Sequence, residues 1–103
     1  MKYNLSFLPE VEEDVIAGYL WYEERAFSLG EEFVRMFYVR VREFLSEPLL
    51  YQEIYGGFRR CLLRRFPYAI YFRVDGIDVV VFGLFHCARD PHTIKGQLLT
   101  RDM

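Results

Sequence analysis

Four arginines, Arg59, Arg60, Arg64 and Arg65, fall within seven positions of a stretch whose other members are Cys61, Leu62 and Leu63. A guanidinium offers a planar fork of donors that meets phosphate or carboxylate oxygens two at a time, so such a row suits phosphates or acidic side chains. The same charges would also blunt an edge strand against pairing with another chain, and the pattern alone leaves both meanings open. Tyr71 closes the next segment, Phe66-Pro67-Tyr68-Ala69-Ile70-Tyr71, with a hydroxyl able to bond a partner. His86 ends the last apolar run and is followed by Cys87, Arg89 and Asp90-Pro91. Imidazole titrates near neutrality and can serve as a general acid or base, while Asp90 reads as a helix cap. No serine, histidine and acid stand in a nucleophile order, and no glycine-rich phosphate loop occurs. Cys61 and Cys87 lack clustered partners, so neither a metal site nor a cofactor is expected.

The elements that must hold these residues follow from periodicity. Tyr3, Leu5 and Phe7 alternate with polar residues over positions 2–7, the pattern of a half-buried strand. Pro9 suits the first turn of a helix, and Glu10, Glu12, Glu13 and Asp14 suit its positive end. Val11, Val15, Tyr19, Tyr22 and Ala26 then form one apolar stripe, with Gly30 expected to end the helix in the left-handed conformation. A second stripe, Phe33, Phe37, Val41 and Phe44, runs to a stop at Pro48. The short connection makes the two helices antiparallel neighbours, each about 25–30 Å long. Positions 49–57 read as a loop. Strands are expected over 58–64, 68–74 and 77–86, with Asp75-Gly76 as a two-residue turn and a short helix opening at Pro91.

That turn sets Val74 opposite Ile77, Phe72 opposite Val79 and Ile70 opposite Val81. Tyr68, Ile70, Phe72, Val74, Ile77, Val79, Val81 and Phe85 then share an apolar face for the helical hairpin. The other face carries Tyr71, Arg73, Asp78, Val80, Phe82, Leu84 and His86, with Arg73 and Asp78 placed for a cross-strand ion pair. No long helix remains to cover it, so Val80, Phe82 and Leu84 form a candidate partner surface. The fold class is α+β: an N-terminal strand, an antiparallel αα-hairpin, a three-stranded antiparallel meander completing a small sheet, and a short C-terminal helix.

At 103 residues the chain is expected to be one domain, 1–103, and its 52% apolar content is too high for a disordered chain. The net charge of −2 does not suit a general nucleic-acid binder. It conceals an asymmetry: residues 1–57 hold eleven acids against five Lys and Arg, residues 58–103 four against eight. Two faces with different partners, or solvating helices beside arginine-bearing strands, would each produce it. The first twenty residues hold no export segment, and the apolar run 79–85 is too short to span a bilayer. A cytoplasmic protein with reduced thiols and no membrane association is expected.

The order of strand, helical hairpin and three strands carries a set of landmarks. They are Trp21-Tyr22-Glu23, Leu29-Gly30…Phe33, Pro48, Arg59-Arg60, Phe66-Pro67-Tyr68-Ala69-Ile70-Tyr71 and His86…Arg89-Asp90-Pro91. Together they resemble the RelE/ParE superfamily of bacterial type II toxins over residues 2–101, closest to the ParE-like plasmid-stabilisation branch. The resemblance implies a cytoplasmic toxin made with a cognate antitoxin that wraps it in a hetero-oligomer. RelE-like members cut mRNA in the ribosome with Lys, Arg and often Tyr spread over the sheet and tail. ParE-like members poison DNA gyrase. Against the RelE pattern, Ala69 stands where a sheet arginine is usual, Arg60 and Leu62 fall near the first-strand lysines, Arg89 matches, and Lys95 falls where the tail often has Tyr. The incomplete set favours the ParE-like function, with Arg59, Arg60, Arg64, Arg65 and Arg89 binding the target and Val80, Phe82 and Leu84 binding the antitoxin. The alternatives are a ribosome-dependent endoribonuclease using Arg60, Tyr71, His86 and Arg89, with His86 in a YoeB-like acid/base role, or a family module without toxicity.

Overall fold

A computed structural model describes residues 2–103. The chain runs β1 (Asn4–Phe7), α1 (Pro9–Glu23), α2 (Leu29–Ser46), a 3₁₀ turn at Pro48–Leu50, β2 (Glu53–Tyr55), β3 (Phe58–Leu62), β4 (Tyr68–Asp75), β5 (Asp78–His86) and α3 (Pro91–Arg101). The strands form one sheet in the order β1-β5-β4-β3-β2. β1 lies parallel to β5 and every other pairing is antiparallel. The α+β architecture is the expected one. β2 is an addition: Glu53 and Tyr55 pair with Arg59 and Phe58 inside the segment expected to be a loop.

The hairpin forms for the reasons its stripes suggest, but its corner differs. Pro9 begins α1 and Pro48 follows the end of α2. The left-handed residue between the helices is Ser28, φ 68°, whereas Gly30 lies buried in the first turn of α2. Gly30 is needed for close approach, because a Cβ there would sit 2.6 Å from the Tyr19 carbonyl oxygen. The Glu23 carboxylate accepts the Ser28 and Gly30 N–H groups, both at 3.0 Å. It thereby satisfies donors that a helix start leaves without an intrahelical partner.

Val11, Val15, Phe33, Phe37, Val41 and Phe44 pack on Ile70, Phe72, Val79, Val81 and Leu84. Phe44 stacks on Phe72 with ring centroids 4.0 Å apart, and Phe33 meets Phe66 and Tyr68 edge to face. A second core fills the other side of the sheet, where Ile94 and Leu98 of α3 cover Phe58, Ala69, Tyr71, Phe82 and Phe85. The expected open apolar face is therefore closed. Phe82 and Leu84 are each 3% exposed, and Val80 is partly buried against the second core. Eleven residues suffice as a lid because Arg73 grips Asp102, just beyond α3, with two hydrogen bonds of 2.9 and 2.8 Å.

The β4–β5 register departs from expectation twice. The tight loop is Gly76-Ile77, with Gly76 at φ 62°, so Asp75 faces Asp78, Val74 faces Val79 and Phe72 faces Val81. This two-residue displacement leaves each side chain on its expected face, since strand side chains alternate with period two. It also cancels the expected Arg73–Asp78 pair: Arg73 lies opposite Val80 and binds Asp102. The second departure is a β-bulge. Phe72 faces Val81 but Tyr71 faces Gly83, leaving Phe82 as the extra residue. Beyond it the alternation inverts, so Leu84 joins the hairpin core and Phe85 the α3 core, the reverse of expectation.

Side chains from distant elements hold the bulge. Asp14 Oδ2 accepts the Leu84 N–H at 3.1 Å and Arg101 Nη1 at 2.7 Å, and Arg101 Nη2 donates to Asp14 Oδ1 at 3.0 Å. Arg101 Nη1 also donates to the Phe82 carbonyl at 2.8 Å. A Cβ at Gly83 would meet the Phe85 ring at 2.5 Å, so the kink accepts glycine there.

Candidate functional site

The 59–65 arginines divide by strand parity and by partner. On β3, Arg59 lies opposite Phe72 and Cys61 opposite Ile70, so both face the hairpin. Arg59 donates to the Tyr51 carbonyl at 2.7 Å and lies 3.7 Å from Glu53. Past the end of β3, Arg64 bonds Glu43 at 2.8 Å, and Arg65, left-handed at φ 72°, bonds both Glu32 oxygens at 3.0 and 3.4 Å. Hydrogen bonds from these arginines, with Arg40 also on Glu43, hold the Glu32 and Glu43 carboxyls below the usual range. Three of the four thus fasten the sheet to the segments around α2.

Arg60 differs. It points to the α3 side opposite Tyr71 and has no carboxylate within ion-pair distance among the described residues. Burial raises the Tyr71 phenol, and the adjacent Arg60 guanidinium draws it partly back. Burial likewise raises the exposed Cys87 thiol against the opposing pull of Arg60. Arg89 is also exposed and without a carboxylate partner among the described residues, with its guanidinium carbon 5.5 Å from the Phe85 ring.

His86 does not join Arg60 and Tyr71. The bulge turns it to the hairpin side, where its ring meets Tyr68 edge-on at 5.1 Å. Its Nδ1 accepts the Ala88 N–H at 3.0 Å, which places the proton of the neutral ring on Nε2. The four residues considered for a nuclease therefore split: Arg60 and Tyr71 lie on the α3 face, His86 and Arg89 beside a cleft.

That cleft, about 610 Å³, opens between α1 and α3 across the end of β5. Asp14, Trp21, Tyr68, His86, Arg89 and Gln97 are among its lining residues. Trp21 is 52% exposed, with the Arg25 guanidinium stacked 3.2 Å from its ring centre. Burial raises the Tyr68 phenol, with Arg89 acting in the opposite direction. Asp14 has a structural role beyond that of a charge at the helix start, which is all its place in the first turns of α1 suggests. The signal was present: Asp14 occupies the inner stripe 11, 14, 15, 18, where Val11, Val15 and Gly18 are buried. Among the described residues no group of His, Cys, Asp or Glu is placed to hold a metal ion, and no helix is long and apolar enough to cross a membrane.

No family model matches the chain, and no curated protein does. Solved structures do. A chain of the chromosomal ParDE TA system from P. aeruginosa superposes with a TM-score of 0.68 at 19% identity, over 82% of this chain and 95% of that one. The E. coli toxin RelE in the free state, carrying two arginine-to-alanine substitutions, gives 0.64 at 14% identity over 100% of both chains. The isolated E. coli RelE toxin gives 0.61 at 16% identity over 98% and 99%. The fold is that of the ParDE and RelE toxin structures.

Proposed function

We propose that this chain is the toxin of a bacterial type II toxin–antitoxin pair, of the ParE-like kind. It acts in the cytoplasm by binding and poisoning DNA gyrase, and a cognate antitoxin neutralises it. The fold likeness to a ParDE chain supports the class. The observation that carries the choice of target is the separation of His86 from Arg60 and Tyr71 by the sheet. Cleavage through the RNA 2′-hydroxyl needs a base at that hydroxyl and cations at the adjoining phosphate together, within hydrogen-bond reach of one substrate. A protein contact has no such requirement. Arg60 and Arg89, the two candidate arginines free of internal carboxylates, are the residues assigned to the target. Arg59, Arg64 and Arg65 position the sheet on the helices.

A ribosome-dependent endoribonuclease is the second function, in which Arg60 beside the Tyr71 phenol serves a phosphate only after α3, whose Ile94 and Leu98 bury Tyr71 to 3% exposure, moves off the sheet. The experiment is induction of the chain alone in a bacterium, with transcripts and chromosomal DNA examined together. Gyrase-dependent DNA breaks with an SOS response are expected. Cut transcripts with intact DNA would move the endoribonuclease ahead, and normal growth would leave a module without toxicity.

A further inference from the structure

The two edges of the sheet are finished differently. β2 is three residues long, its register against β3 slips between Glu53 and Tyr55, and Gly56-Gly57 follow it. Short length and broken register keep an edge from pairing with another chain. β1, at the opposite edge, carries no such protection. Its residues Asn4-Leu5-Ser6-Phe7 include no proline and no charge, pair with β5 without a register shift, and are all exposed.

The bonds already made identify the groups left over. The Asn4 N–H donates to the Ile77 carbonyl at 2.7 Å and the Leu8 N–H to the Val81 carbonyl at 3.0 Å. Asn4, Ser6 and Leu8 therefore turn their main-chain groups to β5. Peptide planarity then points the Tyr3 carbonyl, and the N–H and carbonyl of both Leu5 and Phe7, away from the sheet. Among the described residues nothing bonds these groups. They are centred on Leu5. An antiparallel neighbour of the same sequence, with Leu5 opposite Leu5, exchanges both bonds within that pair and brings each Phe7 N–H onto the facing Tyr3 carbonyl. The pairing runs over positions 3–7 and stops short of α1, which begins at Pro9.

Side chains along this edge suit the same arrangement. Leu5 and Phe7 pair with Val79 and Val81 and so lie on the hairpin side, where they remain 36 and 39% exposed. Phe7 continues into an apolar groove of about 470 Å³ between α1 and α2, whose rim holds the exposed Ile16 and Tyr38. A twofold axis through the Leu5 pair keeps both hairpins on one side of the joined sheet, so these apolar rims meet. The same register sets Lys2 of one copy opposite Leu8 of the other, beside Glu10 and Glu12 in the acidic first turn of α1. We propose that the chain forms a twofold dimer through antiparallel pairing of β1 with β1 of a second copy, joining two five-stranded sheets into one. The match of Lys2 to the acidic turn selects a second copy over an unrelated strand. Dimerisation does not depend on the toxin function.

The test is sedimentation of the full chain over a concentration series reaching about 1 mM, with residue-resolved amide exchange at both ends of the series. The mass is expected to rise from one chain to two, and the Leu5 and Phe7 N–H groups to slow as it does. Leu5→Pro removes an N–H that points outward, so every bond to β5 stays, and an edge strand accepts proline there. The twofold axis repeats the change, both central N–H bonds go, and association is expected to weaken about tenfold or more. Lys2→Glu lies outside the elements of the fold and is expected to weaken association about two- to fivefold, the scale of a surface ion pair. It decides the question with amide exchange if Leu5→Pro does not fold. A single-chain mass at the top of the series would overturn the proposal. So would a dimer that both variants leave intact, a Leu5 N–H exchanging equally fast at both ends, or edge amides that slow only when a different protein is added.

Discussion

Replacing Asp14 by alanine tests the arrangement on which the end of β5 depends. The Asp14 and Arg101 side chains are 13 and 12% exposed, so solvent screens their pairing only weakly. The carboxylate accepts two bonds from Arg101 and one from the Leu84 N–H. Its removal leaves a guanidinium mostly buried with a single carbonyl partner and orphans a backbone donor. Breaking a buried ion pair in this way costs about 3–5 kcal/mol, and the residual exposure puts the expected loss near the lower end, about 3 kcal/mol. That is a large share of the roughly 5–15 kcal/mol that stabilises a domain. Asp14→Asn keeps an acceptor and is expected to lose about half as much, on the scale of a hydrogen bond to a charged group. Replacing both partners by leucine removes charge and counter-charge together, so it is expected to cost less than the two single changes combined. Urea denaturation supplies the midpoint and slope for each variant. A loss under about 1 kcal/mol for Asp14→Ala, or strict additivity in the cycle, would refute the claim that this pair holds the bulge.

Other consequences are independent of that pair. Phe37→Ala, at the centre of the hairpin core, is expected to cost about 3–5 kcal/mol in denaturant melts, and a loss below about 1 kcal/mol would remove Phe37 from the core. The Glu32, Glu43 and Asp102 carboxyls are held low by arginine hydrogen bonds, so their stabilisation is present above the unfolded carboxylate range near pH 4 and lost as pH falls through the folded values. Arg73→Gln should therefore flatten the acid limb of a stability-against-pH curve, and an unchanged limb would show that the Asp102 contact is not maintained in solution. Burial pushes the Cys61 thiol up to about 11 while Cys87 is exposed, so a disulfide reagent at pH 8 should label Cys87 first and Cys61 only on unfolding. In growth assays with folded variants, Arg60→Ala and Arg89→Ala should relieve arrest and His86→Ala should not. A nuclease depending on His86 would lose about 10²–10⁴ in rate, and loss of toxicity in His86→Ala alone would reverse the proposed mechanism.

Much of the fold was legible because its signals are local. The period-two pattern at Tyr3, Leu5 and Phe7, the stripes through Val11–Val15 and Phe33–Phe44, the stop at Pro48 and the helix start at Asp90-Pro91 need no knowledge of what packs where. The faces of β4 and the first half of β5 were equally legible, even with the turn misplaced, because a two-residue displacement preserves alternation. The site itself was not legible in the same way. An extra residue at Phe82 reverses every side chain after it, which sent His86 away from Tyr71 and buried Leu84 under the hairpin. Gly83, an isolated glycine inside the strand pattern, is the local mark of that bulge, but it does not say which neighbour is the extra residue. Asp14 and Arg101, which hold the bulge, stand 87 positions apart and come together only when α1 and α3 both dock on the sheet. The hairpin corner has the same origin: Ser28 rather than Gly30 takes the left-handed turn, because Gly30 is required where α2 presses on the Tyr19 carbonyl. Element types and stripes thus belong to the sequence alone. The grouping of Arg60, Tyr71, His86 and Arg89 belongs to the tertiary structure, because strand parity is a global property that one distant ion pair can invert.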